Sequence, residues 1–408
     1  MDFSIDASTQ KRLETFNTLG REHMRPLGIE ADTLGRPTPP DHPYFQTLVD
    51  MGFGRTRYRD PDAKARGKAP GTGDTKKRSP QDGKKRIGDS RNTLLLSEQL
   101  SYWDRGVAVS APGPGLGEGA IISMGTAEQK KRYLTPFIAP DKPRWGAFAM
   151  TEPAAGSDVA GIQTRAIKDG KDWILIGNKS FSGNSSRAEF ILVWATVDTS
   201  QGRAGHRAFI VEHGMPGLQD FHIERKMGLK AYESPSLRLE ECRVPGENLL
   251  GGEAHYESRA GFKGAMNTFN ATRPMVAAMA IGIGRSALDE SIRFAQENQM
   301  TDNPRIQDRL ERVARKIKMA RLLCLKAAWL ADHQLPNILE ASMSKAVAPT
   351  AAFEAANLGM ELLGLSGARG DHLIEKLFRD VKAMDIVEGT GQIQRVVMAR
   401  KLVDFPRD

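Results

Sequence analysis

Asp385-Ile386-Val387-Glu388-Gly389-Thr390-Gly391-Gln392-Ile393-Gln394-Arg395, near the end of a 408-residue chain, sets one carboxylate between an apolar pair and a Gly-Thr pair. Apolar neighbours raise a carboxylate's pKa by desolvation, and glycine admits a ligand close to the backbone, so the setting suits a general base. The same residues also read as a helix start, with Glu388 near the first turn and Gln392 one turn on. Local features leave both readings open.

A second segment lies far upstream: Ala149-Met150-Thr151-Glu152-Pro153-Ala154-Ala155-Gly156-Ser157-Asp158-Val159-Ala160-Gly161. Small residues and hydroxyls cluster there around two glycines, just before strand-like sequence. Such a loop offers backbone N–H groups and hydroxyls to a polar cofactor ring or a carbonyl. Read alone, it is a turn.

At 408 residues the chain exceeds one ordinary core, and two or three domains are expected. Its two cysteines, Cys242 and Cys324, stand in no CxxC or metal-like spacing, which argues against a disulfide framework and a zinc site. The eight histidines form no HxxxH pair, and no metal is expected. No apolar run is long enough to span a bilayer. The acidic start, Met1-Asp2-Phe3-Ser4-Ile5-Asp6, is unlike a signal or transit peptide, and Phe405-Pro406-Arg407-Asp408 is not a peroxisomal address. The expected location is a reducing cytoplasm.

The formal charge of +8 is unevenly placed: residues 61–86 hold nine Lys/Arg and three Asp. This stretch is rich in Gly and Pro and almost free of large apolar residues, so it reads as a flexible, solvated insertion. The competing reading is a polyanion-binding patch, but no aromatic is interleaved to stack on bases, and nucleic acid is the less favoured partner.

Three textures follow one another. Residues 1–144 alternate helix-like stretches with loops: Gln10 to Met24 as one helix stopped by Pro26, then Thr93 to Asp104 with Leu94, Leu95, Leu96 and Leu100 as its stripe. The run from Val107 to Gly117 is glycine-rich, suited either to a ligand against backbone or, more simply, to tight packing. Residues 145–252 are strand-rich, with a hairpin signal at Asp169-Gly170, then Trp173 to Ile176, Phe190 to Trp194 and Phe209 to Val211. They read as a small barrel or sandwich. Residues 253–408 are helical: Ile306, Leu310, Val313, Ile317, Ala320 and Cys324 recur at three- and four-residue steps, and later helices run from Ile338 to Ala348 and from Ala351 to Leu363. Long helices with short connections read as a bundle.

Together the two opening segments resemble the acyl-CoA dehydrogenase family of flavoproteins. Lys226-Met227-Gly228-Leu229, the stretch from Glu241 to Gly251, Ala271-Thr272-Arg273-Pro274 and Glu375-Lys376-Leu377-Phe378-Arg379-Asp380 match as well. The resemblance runs from about Leu94 to Val403. It implies an α+β multidomain fold with an N-terminal helical domain, a middle β-barrel domain and a C-terminal four-helix bundle. It implies FAD-dependent α,β-dehydrogenation of an acyl-CoA thioester, Glu388 abstracting the α-proton and hydride passing to flavin N5. An electron-transfer flavoprotein would be the electron acceptor, and the subunit would form a homodimer or homotetramer.

By the same resemblance Met150 and Thr151 lie near the flavin ring, Phe181 and Gly183 in the strand facing it, and Thr390 and Gln392 near FAD phosphate or adenosine. Ser157 would touch the CoA arm, Arg273 the CoA end with Asn270 in place of a more usual Asp, and Arg400 the CoA entrance, while Gly389 would admit the substrate. Arg273 and Arg400 also read as surface ion pairs. Some family members carry their base near the position of Thr272, and Asn270-Ala271-Thr272-Arg273 holds no carboxylate, which strengthens Glu388.

Three departures fall on FAD contacts. The family's Trp-Ile-Thr-Asn is Phe181-Ser182-Gly183-Asn184 here, without the threonine hydroxyl. Its Arg followed by Phe-Gly, which reaches FAD across a subunit interface, is Asn298-Gln299-Met300-Thr301-Asp302. Its Gln followed by paired glycines is Glu361-Leu362-Leu363-Gly364-Leu365-Ser366-Gly367. One reading is a dehydrogenase that grips FAD differently, beside a related chain in a hetero-oligomer that supplies the missing contacts. The alternative is an acyl-CoA-binding partner subunit with weak or no FAD binding of its own. The intact Glu388-Gly389-Thr390 and the loop from Thr151 to Asp158 favour the enzyme.

Overall fold

Alternating apolar residues between 146 and 244 become one curled seven-stranded sheet, and the helical repeats on either side become helices packed on that sheet and on one another. The structure, a computed structural model, describes residues 4–61, 89–257 and 261–403, the stretch 261–271 by its backbone alone. The basic insertion therefore lies outside the described residues, apart from Pro61.

The first helices are α1 (Ala7–Leu19), α2 (Arg25–Leu34), α3 (Pro43–Asp50), α4 (Asp89–Ser110), α5 (Gly117–Met124) and α6 (Ala127–Leu134). The expected stop at Pro26 does not occur. A π-helical turn, Gly20–Met24, carries the chain from α1 into α2, and Pro26 sits in the first turn of α2, where no intrahelical N–H is needed. Helix α4 is longer than expected at both ends, but its dihedrals break at Asp104 (φ −162°, ψ 116°), where the sequence reading ended it. After α4 the glycine-rich run serves packing: a Cβ on Gly115 would stand 2.2 Å from the Gly146 carbonyl oxygen.

The strands are β1 (Gly146–Ala149), β2 (Arg165–Asp169), β3 (Asp172–Lys179), β4 (Phe190–Thr196), β5 (His206–Glu212), β6 (Leu218–Ile223) and β7 (Pro235–Val244). They pair in the order β1-β4-β2-β3-β7-β6, with β5 on the other edge of β4. The β2–β3 hairpin turns where Asp169-Gly170 predicts. Strand β4 is buried along its whole length because both its faces are covered. Ile191 and Val193 pack inside the curl with Trp173, Phe209 and Leu239, while Phe190, Leu192 and Trp194 pack outward on α5 and α6 through Ile121, Tyr133 and Leu134.

The remaining helices are α7 (Glu253–Glu257), α8 (Gly261–Glu297), α9 (Pro304–Asp332), α10 (Ile338–Leu363), α11 (Leu365–Ala368), α12 (Leu373–Ile386) and α13 (Gly391–Leu402). Helices α8, α9, α10 and α12 enclose one core of mostly small and branched side chains, among them Ile281, Ile317, Ala352 and Val381. The expected break between 348 and 351 is absent: α10 runs through Pro349, and the proline is buried inside the bundle. Packing there outweighs the roughly 3 kcal/mol by which proline disfavours a helix interior. Helix α4 lies along α8, where Gly282 permits the approach; a Cβ there would come within 2.2 Å of the Glu98 carbonyl oxygen. No helix among the described residues is long and apolar enough to cross a membrane.

The helical start, the sheet and the bundle meet at one buried charge cluster. Lys376 Nζ on α12 donates to Asp104 Oδ2 on α4 at 2.6 Å and to Asp380 Oδ2 at 2.5 Å. Asp380 Oδ1 accepts the Leu229 N–H at 2.6 Å, which ties in the loop between β6 and β7, and Asp104 Oδ1 accepts the Val107 N–H at 2.9 Å. Burial works against charge on Lys376 and on Asp380. For Lys376 the two carboxylates more than offset it and hold the ammonium above its usual pKa, whereas burial leaves Asp380 above the usual carboxylate range. Replacing Lys376 with Met leaves two carboxylates sealed together without a cation. We expect this to cost about 3–5 kcal/mol of stability in urea denaturation, and a loss under about 1 kcal/mol would contradict the anchoring role.

Candidate functional site

Helix α12 ends at Ile386, and α13 begins at Gly391 behind the N-cap Thr390, whose hydroxyl accepts the Ile393 N–H at 3.3 Å. Glu388 thus stands in the turn between two helices rather than in a first helical turn. It adopts φ +54°, followed by Gly389 at φ +93°. A left-handed non-glycine residue costs about 1–2 kcal/mol, and such strain collects at functional sites. Gln394, fully buried, ties the turn down by donating from Nε2 to the Gly389 carbonyl at 3.2 Å.

Glu388 Oε2 is sealed from water and has no hydrogen-bond partner. Its charge is felt by Arg105, Tyr232, Arg273 and Lys345, which approach from α4, the β6–β7 loop, α8 and α10. Burial pushes the guanidinium pKa of Arg105 and of Arg273 down, and Glu388 opposes that shift in both. Burial likewise brings Lys345 down to about 8, against the pull of Asp385 and Glu388. Its Nζ donates to the Asp385 carbonyl at 3.3 Å.

The second sequence segment forms a tight loop after β1. Glu152 and Ala155 exchange backbone hydrogen bonds at 3.1 Å. The buried Glu152 carboxylate accepts from Lys179 Nζ at 2.7 Å, from Gln163 N–H at 2.6 Å and from Thr164 N–H at 3.0 Å. Lys179 also donates to the Met150 carbonyl at 3.2 Å, and burial draws its pKa down to about 8. The Ser180 N–H donates to the Thr151 carbonyl at 2.8 Å, which sets Met150 and Thr151 beside the loop of Phe181 to Asn184.

In that loop Phe181 and Asn184 have positive φ, and Ser182 N–H donates to the Pro235 carbonyl at 2.7 Å. Ser182 Oγ, Asn184 Oδ1 and Ser185 Oγ are buried without partners. Gly183 has an explanation that the sequence reading lacked. A Cβ on it would stand 1.3 Å from the Tyr232 hydroxyl oxygen, so the space of a residue-183 side chain is already filled by a phenol. The Tyr232 hydroxyl thus occupies the volume that a side chain at position 183 would take.

The structure therefore gathers Glu388 with Arg273, and Met150 and Thr151 with Phe181 and Gly183; Tyr232 joins the two groups. Other expected residues stand apart from that centre. Ser157 and Gln392 are exposed, Arg400 is half-buried, and Phe181 keeps 62% of its surface. The Asn270 side chain lies outside the described residues. Arg273 is buried, which excludes the surface ion-pair reading for it. Asp302 is exposed, Asn298 Nδ2 donates to the Phe294 carbonyl of its own helix, and Leu365 is 88% exposed. These three residues, from two of the three departures, are thus exposed on the described chain. Arg105, Tyr232 and Lys345 were not foreseen; they lie on α4, in the β6–β7 loop and inside α10, and no local sequence pattern marks them.

Comparison with known proteins matches residues 147–242 to the middle domain of acyl-CoA dehydrogenases and residues 259–403 to their C-terminal domain. A probable acyl-CoA dehydrogenase of Bacillus subtilis is 38% identical over 323 residues, 78% of this chain and 83% of that one. The mitochondrial short-chain specific acyl-CoA dehydrogenase of Mus musculus is 36% identical over 290 residues, 70% of this chain and 69% of its own length. The structure of butyryl-CoA dehydrogenase from Megasphaera elsdenii superposes with a TM-score of 0.83 at 30% identity, covering 99% of this chain and 100% of that one.

The Gly183–Tyr232 contact is testable by coupling. Gly183→Thr alone overpacks the phenol and is expected to cost about 1–3 kcal/mol, read as a lowered Tm. Adding Tyr232→Ser opens the space, so the double variant should be more stable than the sum of the single effects. Simple additivity would mean that the two residues do not compete for one volume.

Proposed function

Because the chain belongs to the acyl-CoA dehydrogenase family, we propose that Glu388 is the base that removes the α-proton of a bound acyl-CoA thioester. Enzymes of this family are oxidoreductases acting on the CH–CH group of acyl-CoA, and they are FAD-dependent flavoproteins. The observation that carries the proposal is the Glu388 Oε2 atom, sealed from water and without a partner. A carboxylate oxygen so placed is available to a C–H proton and is not occupied by a structural bond. Arg105, Arg273 and Lys345 line the surroundings with positive charge, which favours the enolate that develops as the proton leaves.

The buried, unpartnered Ser182, Asn184 and Ser185 oxygens beside Met150, Thr151 and Phe181 fit the polar edge of a flavin, and these residues would hold it. FAD, when bound there, supplies the acceptor for the β-hydride at N5. In this reading Thr390 and Gln392 serve its phosphate and adenosine end, Ser157, Asn270, Arg273 and Arg400 serve CoA, and Gly389 admits the thioester. The names of the relatives, short-chain specific and butyryl-CoA dehydrogenase, support a short acyl group. Residues 1–144, 145–252 and 253–408 form three domains in this account, an electron-transfer flavoprotein takes the electrons, and the chain works as a homo-oligomer in the cytoplasm.

Glu388→Gln keeps the shape and removes the base. Flavin bleaching by butyryl-CoA should slow by about 10²–10⁴-fold while the thioester still binds. Bleaching at the wild-type rate would refute the assignment. The outward-facing Asn298, Asp302 and Leu365 support weak FAD retention, since losing a charge-assisted contact to phosphate costs about 1.5–3 kcal/mol. Purified homo-oligomer should hold less than one FAD per subunit, and Asn298→Arg with Asp302→Gly should raise that occupancy. Full occupancy that survives dilution would remove this point and the hetero-oligomer reading with it.

A further inference from the structure

Resting on the flavin placement proposed above, we infer that the Tyr232 hydroxyl is a hydrogen-bond donor to the polar edge of the bound flavin ring, and that Gly183 is the complement that gives the phenol room to reach it. Gly183 is not in the left-handed region that favours glycine, although Phe181 and Asn184 in the same loop are. Its backbone therefore accepts any side chain, and what forbids one is the phenol. A Cβ on Gly183 would stand 1.3 Å from the Tyr232 oxygen and 2.1 Å from the ring carbon that bears it. The phenol end is thereby laid on the loop that carries the buried, unpartnered oxygens of Ser182, Asn184 and Ser185.

The segment that bears the phenol is clipped onto that loop. Ser182 N–H donates to the Pro235 carbonyl at 2.7 Å. Glu233, buried and next to Tyr232, accepts from Ser186 Oγ and from Arg187 Nη2, both at 2.8 Å. Lys226 Nζ stands 5.1 Å from the Tyr232 ring centroid and donates to the Tyr232 carbonyl and, at 3.0 Å, to Ser234 Oγ. The backbone beneath the phenol is therefore fixed relative to Gly183, as a preorganised donor requires.

The hydroxyl itself lacks a partner. Tyr102 bonds to Asp289, Tyr133 to Glu212 and Asn248, and Tyr256 to the Ala208 N–H, whereas the Tyr232 hydroxyl makes no hydrogen bond among the described residues. Tyrosine hydroxyls enclosed by protein ordinarily find one. Burial pushes this phenol up to about 12, so near neutral pH it is an O–H that can donate. A flavin ring offers acceptors at its nitrogens and carbonyls, and an alkyl chain offers none. The ring gains electron density on reduction, so a donor at its edge bonds the reduced form more strongly and raises the midpoint potential.

The test uses FAD-supplemented protein without substrate, so that it reads contact with the flavin rather than turnover. Tyr232→Phe keeps the ring over Gly183 and removes only the hydroxyl. Its midpoint potential, from reductive titration against a reference dye, should fall by about 30 mV, which for a two-electron couple is about a tenfold loss of preference for reduced over oxidised FAD. The visible absorption bands of the oxidised flavin should shift as well. Gly183→Thr combined with Tyr232→Ser returns a hydroxyl to the same volume from the opposite segment and should recover part of the lost potential. A potential and spectrum in Tyr232→Phe equal to those of wild type overturn the inference and leave the phenol a packing group. A change that appears only once a thioester is bound also overturns it, since the hydroxyl would then serve the substrate. If wild type takes up no flavin at saturating FAD, the dehydrogenase reading falls and takes the inference with it, an outcome seen before any variant is compared.

Discussion

The contact between Lys376 and its two aspartates is the constraint from which the candidate site is built. One ammonium joins α4 to α12, and Asp380 extends the join to the Leu229 N–H in the β6–β7 loop. Each strand of that knot runs within a few residues into the site. Arg105 is next to Asp104, Tyr232 is three residues past Leu229, and Glu388 follows the end of the helix that carries Lys376 and Asp380. A buried triad of this kind is poor evidence of net stability, since its desolvation cost is large. Its contribution is register: burying the ammonium between both carboxylates admits one relative placement of three elements.

A second crossing of the same type steadies the first. Glu98 on α4 is buried and pairs with Arg285 on α8 at 2.5 Å and with Arg321 on α9 at 2.7 Å. Arg25 adds a bond to the Tyr102 carbonyl at 2.5 Å and to Ser286 Oγ at 2.7 Å, linking α2 to α4 and α8. With α4 held at Glu98 and at Asp104, the break between helical turns falls at a defined place, just before Arg105. Arg105, Arg273 and Lys345 all surround one glutamate, and burial lowers the pKa of each cation.

The sheet and bundle were legible because their signals are periodic. Strand β4 is a continuous apolar run, and α9 repeats at three and four residues over its length. The misreadings occurred where a tertiary contact overrides a local rule. Pro26 reads as a stop, and one long helix reads as two with a gap at 349–350; Pro26 sits in a first turn, where its missing N–H is harmless, and Pro349 is held by a buried bundle core. Within the site, neither Glu388 nor the loop after Met150 was decided by its own residues; the resemblance carried by the two segments together pointed to them. Tyr232 was not legible, because its importance lies in the Gly183 space that it fills across the sequence. Arg105 was hidden for a similar reason: it follows the break in α4 at Asp104, whose carboxylate is engaged by Lys376.

The most direct test of the whole account is a crystal structure of the protein with FAD and a non-oxidisable acyl-CoA analogue. The account predicts that the thioester α-carbon lies about 3–3.5 Å from a Glu388 carboxylate oxygen. It also places the flavin ring on the opposite side of the acyl group, against the Met150–Thr151 and Phe181–Asn184 loops. An acyl group seated away from Glu388, or a flavin absent from those loops under saturating FAD, would contradict it.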